Sequence, residues 1–175
     1  MFDFSTQITD DITLYAKWSK SRNAILDSNL TYEIDEEGVL TITGDDPAFP
    51  DCVDNYGEIR VWCDEIDKVT KIVFDTPTLT AIGMAAFINF TALESVELPD
   101  TVETIGHQAF RNCKELDAVT IPSSVTSIGI NSFNGCASLK SISIPESVTS
   151  ISDYTFASCS LLASVKMGSK VESIG

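Results

Sequence analysis

One phrase of 23 residues recurs four times in the second half of this chain, and a chain written that way can fold only by stacking like units. Phe87, Phe110, Phe133 and Phe156 keep the step, as do Leu93, Leu116, Leu139 and Leu162. Two further columns follow it: Val96, Val119, Ile142, Val165, and Leu98, Ile121, Ile144, Met167. A period of this length marks one turn of a solenoid, whose apolar side is buried only against its neighbours. Such a chain is first of all a scaffold that presents surface.

Within a unit the grammar is legible. Ser141-Ile-Ser-Ile144 alternates as a strand that faces one side inward, and Pro145 ends it, as Pro99 and Pro122 do in earlier units. Proline has no N–H to give to a ladder, so it stops the strand in register. Val125, Val148 and Val171 open a second short strand that closes at Ile128, Ile151 and Ile174. A short helix or helical turn is expected from Asn131 to Cys136, with Phe133 pointing inward.

Upstream, two other segments separate from the repeats, which occupy residues 76–175. Residues 1–22 end in a strand-like run closed by Trp18 and read as the last strand of a preceding β module. Residues 23–75 read as an N-terminal β cap, which a solenoid needs to cover its first coil. It opens with a hairpin in which Leu30, Tyr32 and Ile34 answer Val39 and Thr41 across Asp35-Glu-Glu-Gly38. An acidic loop follows, then a short helix around Trp62 to Ile66 and the strand Lys71-Ile-Val-Phe74. At the other end Val171-Glu-Ser-Ile-Gly175 starts a fifth unit without a polar capping turn. Open strand edges there predict a longer parent protein or end-to-end association with a second copy.

Composition narrows the function classes. With 43% apolar residues in 175, the chain can bury a core without a disulfide framework. No apolar run is long enough to span a membrane, and the N-terminus lacks the pattern of a signal peptide. A net charge of −15 argues against nucleic acid. The acidity is concentrated in residues 1–75, with 17 Asp/Glu against 6 Lys/Arg.

Catalytic and metal chemistry find little support. His107, the single histidine, follows Ile105-Gly106 in a column otherwise held by Met84, Ile130 and Asp153, an exposed and variable position. No nucleophile motif accompanies it, so no catalytic residue is assigned. Cys113, Cys136 and Cys159 share a column with Phe90 and read as buried apolar positions, and no C-x-x-C spacing is present to hold a metal. Cys52 and Cys63 are the one pair whose spacing invites a bridge. Asp45, Asp46, Asp51, Asp54 and Glu58 offer hard oxygen ligands, but their spacing does not fit an EF-hand loop. No metal and no cofactor is expected.

The phrases LDAVTIPSSVTSIGINSFNGC and LKSISIPESVTSISDYTFASC resemble the BspA-like leucine-rich repeat, over about residues 69–175. LTYEIDEEGVLTITG resembles the segment that precedes such repeats in surface proteins of gut and oral bacteria, and FDFSTQITDDITLYAKW resembles the tail of a Listeria–Bacteroides repeat, with Gln7 in place of the usual proline. The resemblance implies a right-handed leucine-rich repeat solenoid with a β-hairpin cap. It further implies a non-enzymatic module outside a bacterial cell that adheres to host or neighbouring-cell protein or glycan. A structural spacer with no ligand of its own is the alternative. One departure stands out: Ser152 replaces the glycine of the pattern held by Gly106 and Gly129.

The candidate binding surface is the outward side of the first strand in each unit. Glu94, Asp117 and Lys140 form one column, Ser95, Ser141 and Ser164 a second, and Glu97, Thr120, Ser143 and Lys166 a third. Two of these run from carboxylate to lysine, which predicts an acidic-to-basic gradient on a flat hydroxyl-rich sheet. A flat polar sheet suits wet, extended contact with protein or glycan better than a small-molecule pocket.

Overall fold

The structure, a computed structural model, describes Ile25, residues 28–53 and residues 62–175. The segment that resembles the Listeria–Bacteroides repeat lies outside the described residues, as do Asp54 and Glu58. Thirteen short strands are found among the described residues, and they line up in two ladders, parallel in pairing except for one antiparallel hairpin at the start of the first. The first contains β1 (Thr31–Ile34), β2 (Val39–Thr43), β4 (Lys71–Asp75), β6 (Ser95–Glu97) and β8 (Ala118–Thr120), followed by β10 (Ser141–Ser143) and β12 (Ser164–Lys166). The second contains β3 (Ala48–Phe49), β5 (Ala81–Ile82), β7 (Thr104–Ile105) and β9 (Ser127–Ile128), then β11 (Ser150–Ile151) and β13 (Ser173–Ile174). Each coil gives one strand to each ladder and closes through a third, turn-built side.

The repeated columns are the core. Phe87, Phe110 and Phe133 are fully buried, and with Phe156 they stack ring on ring at 5.4, 5.4 and 5.9 Å. Leu93, Leu116 and Leu139 are equally closed to solvent, as are Val102, Val125 and Val148. Each prolyl carbonyl at the strand end accepts the valyl N–H three residues on, at 3.1 to 3.2 Å, so Pro99, Pro122 and Pro145 turn the chain from one ladder to the next. In the last coil the same columns surface: Val165, Met167 and Ile174 are 37%, 38% and 67% exposed.

The turn side is no helix. From Asn131 to Cys136 alternate amides serve different partners. Asn134 and Cys136 donate locally to Asn131 and Phe133, while Asn131, Phe133 and Gly135 donate to Asp153, Thr155 and Ala157 of the next coil. Left-handed residues make the alternation possible, with φ of 58° at Asn131 and 79° at Gly135, and they recur at Gln108, Asn112, Tyr154 and Ser158. A helix needs consecutive right-handed residues and i→i−4 bonds. Bonds to the adjacent coil win, so the segment is a run of turns and not a helix. The expected helix around Trp62 is likewise a turn, over residues 64–68.

The hairpin forms, with Gly38 at φ 81° as the turn requires and Asp35 Oδ1 accepting the N–H of Glu37 and Val39 at 3.0 and 2.8 Å. Its register is one residue from expectation. Tyr32 faces Ile42 and Ile34 faces Leu40, and Leu40 and Ile42 are the buried residues where Val39 and Thr41 are half-exposed. The reason is that β2 pairs in parallel with β4, Leu40 beside Ile72 and Ile42 beside Phe74, so the hairpin is continuous with the solenoid sheet and its inward face is set by the coil.

Candidate binding face

The outward face of the first ladder collects the residues singled out by the repeat. Thr120, Ser141, Ser143, Ser164 and Lys166 are exposed, and Ser95 is half-buried beside Lys71. Ser141 stands opposite Ser164 and Ser143 opposite Lys166, while Glu97 stands opposite Thr120. Glu94, Asp117 and Lys140 sit just before the strands and form the flank of the face. Ala118, Thr120, Ser141, Ser143, Ser164 and Lys166 line a shallow depression of about 520 Å³. Side chains this short leave the sheet flat and its hydroxyls reachable.

Two carboxylates of the expected gradient, Glu97 and Asp117, are held in ion pairs. Lys71 Nζ reaches Glu97 Oε1 at 2.5 Å, and Lys140 Nζ reaches Asp117 Oδ2 at 3.4 Å, both between neighbouring coils, with Lys71 half-buried and the other three side chains exposed. Lys71 escapes the 23-residue step because Ile72 to Ile82 is ten residues where Val96 to Ile105 is nine. The extra residue between β4 and β5 shifts β4 out of the sequence register while its strand pairing stays intact. The spatial neighbour that neutralises Glu97 could therefore have been found only by allowing one insertion in the period.

The other chemical candidates resolve into structural parts. Cys113, Cys136 and Cys159 each point inward and approach a backbone carbonyl of the preceding coil, Phe87, Phe110 and Phe133, at 3.2 to 3.3 Å. Burial pushes the Cys136 thiol up to about 12, with the neighbouring Cys159 adding to it, and raises Cys113 and Cys159 in the same direction. Such thiols are protonated and poor nucleophiles. Cys52 and Cys63 are buried, and no disulfide joins them. In the acidic loop Asp46 accepts the Asn29 N–H at 3.0 Å and Asp51 the Met84 N–H at 2.5 Å, so these carboxylates cap backbone. Among the described residues no group of His, Cys, Asp or Glu is arranged to hold a metal, and no helix is long and apolar enough to cross a membrane. His107 is exposed, as its variable column implies.

The model of the BspA type leucine rich repeat region matches residues 63–175, with 6 copies. The chain belongs to the BspA-type leucine-rich repeat family. A solved relative, a leucine-rich cell surface protein from Faecalibacterium prausnitzii, is 27% identical with a TM-score of 0.58 over 84% of this chain and 40% of its own. A leucine-rich repeat protein from Eubacterium ventriosum is 26% identical with a TM-score of 0.59 over 82% of this chain and 43% of its own. The chain thus spans about two fifths of these relatives. The Treponema pallidum leucine-rich repeat protein, 24% identical with a TM-score of 0.51 over 84% of this chain and 83% of its own, shares the fold. No curated protein matches the sequence. On this BspA-type repeat module the strand face presents serine, threonine and two ion pairs.

Proposed function

We propose that this chain is a non-enzymatic binding module of a bacterial cell-surface or secreted protein, which adheres to extracellular protein or glycan through the outward face of its first ladder. The observation that carries this reading is the exposed hydroxyl shelf of Thr120, Ser141, Ser143 and Ser164 with Lys166 at its margin. Hydroxyls both donate and accept, so the shelf suits amide or sugar partners, with water filling the gaps. The surface description of the Faecalibacterium relative supports the location. The spacer reading draws support from the ion pairs of Lys71 with Glu97 and Lys140 with Asp117, which satisfy those charges within the face.

The test is a screen of the purified chain against matrix proteins and a glycan array, with Ser143→Trp and Lys166→Glu beside it. Saturable binding that both variants reduce by tenfold or more, with unchanged melting, is the expected result. Binding that both variants leave intact places the contact elsewhere, and no binding across the panel favours the spacer.

A further inference from the structure

Both ladders are interrupted at the same level. The first pairs β6 with β8 and β10 with β12 but not β8 with β10, and the second pairs β7 with β9 and β11 with β13 but not β9 with β11. Three flanking bonds that recur elsewhere are missing there. Asp117 N–H donates to Glu94 and Ala163 to Lys140, with no counterpart from Lys140 to Asp117; Thr126 donates to Glu103 and Glu172 to Thr149, with none from Thr149 to Thr126. Gly106, Gly129 and Gly175 donate to Ile82, Ile105 and Ile151, with none from the Ser152 N–H to Ile128. The turn side stays closed at both ends of the opening, through Asn112 to Asn134 at 2.8 Å and Asn131 to Asp153 at 3.1 Å. Ser138 N–H to the Lys114 carbonyl at 2.9 Å is the last backbone bond before the first ladder, and from Lys140 to Ser152 side chains reach over instead: Lys140 to Asp117, Ser147 Oγ to the Val125 carbonyl, and Ser152 Oγ to the Ile128 carbonyl at 2.7 Å.

The cause lies in the glycine column. A Cβ at Gly129 would stand 2.6 Å from the His107 nitrogen and 2.7 Å from the Gly106 carbonyl carbon, and one at Gly106 would stand 2.7 Å from Gly83. Coils pack at this corner only when it carries no side chain. Ser152 puts a side chain there, and its hydroxyl takes the carbonyl that a glycine N–H would have held. We infer that Ser152 wedges the solenoid open between β8/β9 and β10/β11, making a hinge whose strap is the turn side. The seam crosses the depression on the strand face, since β8 and β10 both line it. The hinge is independent of what that face binds.

Hydrogen–deuterium exchange on the full chain tests it, with rates corrected for intrinsic exchange. The amides of Lys140, Thr149 and Ser152 should exchange about tenfold or more faster than those of Asp117, Thr126 and Gly129 one coil earlier. In Ser152→Gly they should slow to the level of that coil, and in Ser152→Ala, which keeps the Cβ, they should stay fast. Equal protection in the native chain overturns the hinge. So does a seam that Ser152→Ala closes, or one that Ser152→Gly leaves open.

Discussion

At the scale of the residue, the cysteine column shows how a position's chemistry follows from its neighbours. A phenylalanine at position 90 and a thiol at 113, 136 and 159 occupy one inward site, and each thiol lies against a carbonyl of the coil before it. The apolar character was legible in the sequence from the Phe90 substitution alone; the carbonyl contact was not, because it joins residues 26 apart. Linkage gives a testable consequence. Cys136 is raised from 9.0 to about 12, so the folded state holds its proton where the unfolded chain has lost it. The stability it contributes is complete below pH 9 and falls as pH rises from 9 toward 12, with a limiting slope of about 1.4 kcal/mol per pH unit. Urea unfolding between pH 8 and 10.5 should therefore show a steeper decline in the native protein than in Cys136→Ala. Equal slopes would mean that the thiol is not buried in solution.

At the scale of the element, two signals in the sequence competed and the structure chose. The hairpin turn and the strand ends were legible because glycine, aspartate and proline act locally. The strand faces of β1 and β2 were assigned from alternation across the turn, whereas their burial is decided by the parallel pairing of β2 with β4, a contact 32 residues away. A short helix and a turn both fit the turn side in sequence, and its left-handed residues settle on turn because every second amide finds the next coil. The glycine column belongs to this scale too. Gly129→Ala places a methyl against the His107 amide and Gly106, and overpacking of that kind costs about 1–3 kcal/mol. Its urea midpoint should drop with an unchanged m-value, and a midpoint equal to the native one would show that the corner has room.

At the scale of the whole molecule, one aromatic spine runs through the coils. Phe49 and Trp62 close its upper end against Phe87, at 4.9 and 5.8 Å, and the rings of Phe110, Phe133 and Phe156 continue it. Trp62 also donates its indole N–H to the Ala86 carbonyl at 2.7 Å, which anchors the first coil where no phenylalanine of the repeat is present. Phe133→Ala removes a fully buried ring from the middle of this stack and should lower the unfolding free energy by about 3–5 kcal/mol. A loss under about 1 kcal/mol would contradict the register itself. What the sequence by itself determined is the period, the inward columns, the strand ends and the family, because these arise from residues that recur at a fixed step and act on their near neighbours. Tertiary structure alone decided which charges pair, that the hairpin is continuous with the sheet, and that a single serine parts both ladders. Each of those depends on the distance between coils, which stacking sets and no single unit encodes.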